Sequence, residues 1–146
     1  MDDLSSDFEE LLAFLNAHGV RAIVVGGHAL AFHGHPRYTK DLDVFVEPSS
    51  ENAEALLGAL AAFGFGSVGL TPDDFAPGKV VQLGVAPNRI DLMTAIDGVS
   101  FRDAWDARAV GRFGKVAVHY IGREAFIRNK QASGRPQDLA DVDALR

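Results

Sequence analysis

An α+β fold, an α/β sandwich with helices lying against a mixed sheet, is predicted by three features of this chain. Ala22-Ile23-Val24-Val25 is a continuous apolar run ending at Gly26-Gly27, the pattern of a strand buried on both faces. Asp41-Leu42-Asp43-Val44-Phe45-Val46 alternates as a strand does, with Leu42, Val44 and Val46 directed to the core. Apolar residues at helical spacing flank these strands, at Leu4, Phe8, Leu11, Leu12 and Leu15 and again at Ala55, Leu56, Ala59, Leu60 and Phe63. Mixed strands and helices argue against a bundle. The 146 residues make one domain, 1–146, with a helical tail over 122–146 packing on it.

In order, Ser6-Asp7-Phe8-Glu9 has the form of a capping box that starts the first helix, and His18-Gly19 ends it in a left-handed cap. After the first strand, Ala29-Leu30-Ala31-Phe32 predicts a short helix, stopped by Gly34-His35-Pro36. A second strand over 41–47 leads through Pro48-Ser49-Ser50-Glu51 into a packing helix over 53–63. Residues 64–69 form a glycine-rich connection with room for a short strand, and 72–78 a surface loop. Residues 79–84 and 88–94 read as two strands joined by a turn at Ala86-Pro87-Asn88. There follow a short helix over 101–107, a turn over 111–114, a strand over 115–120, a helix over 123–132 ended by Gly134, and a last helix from Pro136 through Leu145. Trp105 and Tyr120 are assigned to the core.

Without cysteine there is no disulfide framework, thiolate zinc site or thiol nucleophile. The acidic, polar start and the lack of a long apolar run give the cytoplasm as the expected location, with no membrane association. A net charge of −6 argues against a generally basic nucleic-acid binder. The charge is uneven: residues 1–60 carry 3 Lys and Arg against 10 Asp and Glu, whereas residues 101–146 carry 9 against 6. An acidic front and a basic tail suit a site for metal and polyphosphate, although a scattered solvated surface would give the same counts.

Asp41 and Asp43 point the same way from their strand, about 7 Å apart along the backbone. Two carboxylates on one face of an otherwise buried strand are costly without a positive partner, and a divalent metal ion is the simplest candidate. The competing reading is a solvated strand start with Asp41 capping a turn. Gly26-Gly27 opens a helix whose first N–H groups are unpaired, and glycine lets a phosphate approach them; a plain tight turn would use the same residues. Asp91, between Ile90 and Leu92, adds a third carboxylate opposite core residues. An EF-hand is excluded, because its run of oxygen ligands with a glycine and a terminal glutamate is missing. His28, His33 and His35 lack the spacing of a helical zinc site and read as a polar rim around the cleft. Phe45 shares the aspartate face, where it either stacks on a base or belongs to the core.

With Gly26-Gly27, the short helix, Arg37-Tyr38-Thr39-Lys40-Asp41-Leu42-Asp43-Val44-Phe45-Val46 and then Asp91, the chain resembles the DNA polymerase β-like nucleotidyltransferase superfamily. Within it, the chain is most similar to small prokaryotic nucleotidyltransferases related to the AbiEii-type toxins of toxin-antitoxin systems. Lys130-Gln131-Ala132-Ser133-Gly134-Arg135-Pro136-Gln137-Asp138-Leu139-Ala140-Asp141 is similar to the Lys, Gly-Arg-Pro and Asp-Leu tail common in that group.

The resemblance implies a nucleotidyltransferase-like mixed β-sheet with flanking helices. It also implies an enzyme that moves a nucleoside monophosphate from a nucleoside triphosphate to a hydroxyl on tRNA or other RNA, protein or a small molecule. Asp41 and Asp43 would coordinate Mg2+, with Mn2+ as a substitute, and Asp91 would bind a second ion and orient or deprotonate the acceptor. Gly26, Gly27 and His28 would hold the leaving phosphates, and Arg37 and Lys130 would add phosphate contacts. Arg37 could equally pair with Asp41 or a surface acid. Arg135, Asp138 and Asp141 would form an ion-pair network holding the tail to the sheet, or take part in catalysis. An antitoxin protein is an implied partner. His28 stands where many members of the superfamily have serine, which supports the alternative of a non-catalytic nucleotide-binding or partner-binding module on the same fold.

Overall fold

The computed structural model describes residues 3–36, 41–84 and 89–145. Helix α1 (Asp3–Ala17) buries Phe8, Leu11, Leu12 and Leu15 and ends at Gly19, whose φ of 68° is the left-handed cap expected there. Ser6 lies inside this helix, so the expected capping box is not its start. Strand β1 (Ala22–Val25) runs into α2 (Gly26–Phe32), and β2 (Leu42–Val46) leads to α3 (Ser50–Leu60). The Ser49 hydroxyl caps α3 by accepting from the Asn52 N–H at 3.1 Å, three residues ahead of the expected start.

Beyond α3 the chain tightens into a π turn at Ala61–Phe65 and a 3-10 turn at Gly66–Val68, in place of the short strand expected near 64–69. Gly64, at φ 121°, makes the kink that a strand could not contain. The stretch expected as a plain surface loop holds a 3-10 turn at Pro72–Phe75 that drives Phe75 into the core. Strands β3 (Val80–Leu83) and β4 (Ile90–Met93) form the expected antiparallel pair, while the turn assigned to 86–88 lies outside the described residues.

The remaining elements are α4 (Phe101–Asp106), β5 (Ala109–Phe113), β6 (Val116–Tyr120), α5 (Arg123–Ser133) and α6 (Pro136–Leu145). Most of the stretch expected as a turn at 111–114 belongs to β5. Gly111 sits there because a Cβ would strike the Phe32 ring, which itself stacks on Tyr120 at 4.2 Å.

The six strands form one mixed sheet in the order β3-β4-β2-β1-β6-β5. The central pair β2–β1 is antiparallel, the pairs that flank it, β2–β4 and β1–β6, are parallel, and the two edge pairs are antiparallel. Ile23, Val24, Val44, Phe45, Val46 and Leu92 are all buried, so the central strands are covered on both faces. Phe45 is core, edge-on to Phe101 at 5.1 Å, rather than a stacking platform. Trp105 departs from its core assignment: it is half-buried, with the Arg108 guanidinium 3.9 Å above its ring. No helix among the described residues is long and apolar enough to cross a membrane.

Candidate active site

Register brings the carboxylates together. β2 and β4 run parallel with Asp43 directly opposite Asp91, and β1 lies antiparallel on the other side with Val25 opposite Asp43. Asp41 and Arg89, each two residues earlier on its chain, meet at the start of the same strand pair, where the Leu42 N–H donates to the Arg89 carbonyl at 3.0 Å. Gly26 turns the chain out of β1 at φ 69°, and a Cβ there would collide with the Asp43 Oδ2. Glycine is therefore required twice, by the backbone angle and by the aspartate.

Asp43 carries the cost of this crowding. Burial, the nearby charge of Asp91, a hydrogen bond between the two carboxyls and the charge of Asp41 raise its pKa from 3.8 to about 7, against a smaller opposing pull from Lys130. The Arg89 guanidinium bridges the other two acids. Its Nη2 donates to Asp41 Oδ2 at 2.8 Å and to Asp91 Oδ2 at 3.3 Å, and its Nε lies 3.3 Å from Asp91 Oδ1. Neither that Nε nor that Oδ1 makes a hydrogen bond, although both are buried. Sequence reading overlooked Arg89. Its signal was alternation, since Arg89-Ile90-Asp91 repeats in β4 the spacing of Asp41-Leu42-Asp43.

The cleft beside Asp43 is closed by the tail. A cavity of about 240 Å³ lies between Gly26, Asp43, Met93 and Ile96 on the sheet side and Asn129, Lys130, Ser133 and Arg135 on the α5 side. A second, of about 280 Å³, is lined by Gly26, Gly27, Asp41, Asp43, Lys130, Arg135 and Asp138. Gly26, Asp43, Lys130 and Arg135 border both, so the two form one cleft. The ion pairs expected to hold the tail to the sheet lie within the tail and join α5 to α6: Asp138, buried, accepts from Arg135 Nε at 2.8 Å and lies 3.5 Å from Lys130 Nζ, and Gln137 donates to Asp141 at 3.0 Å. Burial alone would raise the Asp138 pKa, but hydrogen bonds from Arg135 and Ser133 and the charge of Lys130 hold it at about 2.

The structure thus brings together Gly26, Gly27, Asp41, Asp43, Asp91 and Lys130. It corrects the place of His28, whose ring packs against Phe8 at 5.7 Å and Phe113 at 5.2 Å and borders neither cavity. Burial lowers its pKa. His33 Nε2 is 2.8 Å from the Ile121 carbonyl, so these two histidines do not rim the cleft. Arg37 lies outside the described residues. Among the described residues, no three His, Asp or Glu side chains surround a common metal position, because Asp41 and Asp91 are turned to Arg89.

No curated protein matches the chain. Among solved structures, it is similar to an antigenic nucleotidyltransferase-like protein from Paracoccidioides brasiliensis, at 15% identity and a TM-score of 0.55 over 99% of this chain and 76% of that one. This likeness shows a nucleotidyltransferase-like fold. The family described as nucleotidyl transferase of unknown function (DUF2204) matches residues 4–146, and the chain belongs to it.

Proposed function

We propose that the protein transfers a nucleoside monophosphate from a nucleoside triphosphate to a hydroxyl acceptor, using a divalent cation held by Asp43 and Asp91. The observation that carries this reading is Asp43 set in register against Asp91 beside Gly26, in a cleft whose other wall is Lys130 and Arg135. Carboxylate oxygens are hard donors suited to Mg2+ or Mn2+. The raised pKa of Asp43 and the unpartnered Asp91 Oδ1 mark a place short of positive charge, so the residues fit such an ion, with Asp41 as the third candidate ligand. When bound, it would neutralise phosphate charge and stabilise the entering and leaving oxygens.

The chain's own residues supply the rest. Gly26 and Gly27 leave room for phosphate oxygens at the start of α2, which has no side-chain cap. Lys130 and Arg135 add cations for the triphosphate. Asp91 accepts a hydrogen bond from the acceptor hydroxyl and takes its proton as that oxygen bonds to the α-phosphorus and the bond to the departing pyrophosphate breaks. Incubation with each labelled triphosphate, Mg2+ and a panel of tRNA, protein and small-molecule acceptors should release pyrophosphate from at least one combination. Silence across the whole panel would sink the proposal.

The pairing of Arg89 with Asp41 and Asp91 favours a second reading, a nucleotide-binding or partner-binding module without turnover. Calorimetry separates the two: nucleotide binding that needs no metal and persists in Asp43→Ala belongs to the module, and metal-dependent binding lost in that variant belongs to the enzyme. If the acceptor is a cellular RNA or protein, expression should arrest growth unless an antitoxin partner is present, and Asp43→Ala should relieve the arrest. Normal growth on expression of the unaltered protein alone removes the toxin role.

A further inference from the structure

Three carboxylates converge at the start of the β2–β4 strand pair, where Arg89 lies among them. Asp43 lies in register against Asp91, and the permanent charge of Arg89 is set against Asp41 and Asp91. A guanidinium seated squarely on a carboxylate makes two short parallel bonds of roughly 2.7–2.9 Å. Arg89 does not. One of its three contacts is 2.8 Å and the other two are 3.3 Å, while its Nε and the facing Asp91 Oδ1 are buried without a hydrogen bond. The group is stretched between two acids and leaves the Asp91 Oδ1 unsatisfied. Its side chain is 37% exposed, so its tip has a way out to solvent.

We propose that Arg89 is a built-in counter-cation: it holds Asp41 and Asp91 in the metal-free protein and yields them when a divalent ion enters. This rests on the nucleotidyltransferase reading for the identity of the incoming ion. A divalent ion brings twice the charge of the guanidinium and approaches carboxylate oxygens to about 2.0–2.1 Å in the case of Mg2+. Arg89 is then a positioning residue. It keeps the cluster assembled before metal arrives and sets the threshold concentration at which metal takes over.

The test is calorimetric titration of the whole chain and of Arg89→Gln with MnCl2, with pyrophosphate release measured on the same samples. Arg89→Gln should bind Mn2+ at least about tenfold more tightly, because the Arg89 guanidinium no longer competes, and should melt at a lower temperature than the unaltered protein before metal is added. Equal or weaker binding by the variant overturns the proposal. Should Arg89→Gln fail to fold, the unaltered protein still decides: Mg2+ should shift the Arg89 Nε–H resonance, assigned by its loss in Arg89→Lys, toward solvent-exchanging values. A resonance unmoved at saturating Mg2+ overturns the proposal. Tighter Mn2+ binding without pyrophosphate release leaves the counter-cation standing and removes the transfer activity, and release with unchanged affinity does the reverse.

Discussion

The cleft has an acidic cluster on each wall, and the two are solved differently. On the tail side Asp138 is 3% exposed, yet Arg135 and Lys130 both reach it and its pKa lies at about 2. On the sheet side Asp43 faces Asp91, Arg89 lies against Asp41 and Asp91, and the Asp43 pKa lies at about 7. Burial opposes the charged form in both places, so the number and aim of the cations decide the outcome. The tail cluster is complete and holds α5 and α6 together. In the sheet cluster Asp43 keeps a raised pKa and the Asp91 Oδ1 is without a hydrogen bond, as in a site that receives a cation and a triphosphate.

The sharpest way to break this contrast is Asp43→Asn. Pyrophosphate release should fall by about 10²- to 10³-fold, while the metal-free melting temperature holds or rises because repulsion with Asp91 is gone. A variant that loses stability in step with activity would show that Asp43 belongs with the structural acids. Next in size is Asp138→Ala, which leaves the half-buried Lys130 without its partner in the tail and should cost about 3 kcal/mol by denaturant unfolding. A loss under about 1 kcal/mol would mean the tail ion pairs are ordinary surface pairs.

The two groups also respond to pH in opposite directions. The folded-state pKa of Asp43 is raised, so its contribution to stability is full below 3.8 and is lost as pH rises through about 7. The folded-state pKa of Asp138 is lowered, so its contribution is present above 3.8 and is lost as pH falls through about 2. The melting temperature of the metal-free protein should therefore fall by roughly 5 °C as pH rises from about 4 to about 7, and Asp43→Asn should flatten that decline. A slope unchanged in the variant would assign the titration elsewhere.

The smallest effect is expected at His28→Phe. The ring sits between two phenylalanines with its Nε2 buried and unpartnered, so the substitution should leave pyrophosphate release and KM unaltered and raise stability by about 1 kcal/mol. A large rise in KM would return His28 to the phosphate site.

Periodicity and glycine carried most of the fold at the level of sequence. β1, α2 and α6 lie where apolar runs, Gly26-Gly27 and Pro136 put them, since these signals act within one or two turns of chain. β5 was hidden because Gly111 reads as a turn until the Phe32 ring, far away in sequence, is seen to need the space. The turn at 61–68 was hidden because its helix tightens at Gly64 rather than stopping. Within the site, alternation showed that Asp41 and Asp43 share a face and set Asp91 opposite core residues, and the resemblance gave the roles of Asp91 and Lys130.

The amino-acid order alone thus determined the strands that carry the site, β1, β2 and β4, which carboxylates share a strand face and where the backbone must be glycine. Tertiary structure decided that Asp43 meets Asp91, that Arg89 rather than open solvent faces Asp41 and Asp91, and that His28 turns into the core. The physical reason is range. Side-chain alternation and glycine angles are set by neighbouring bonds, whereas the partner across a parallel strand pair is set by register between segments nearly fifty positions apart in the chain.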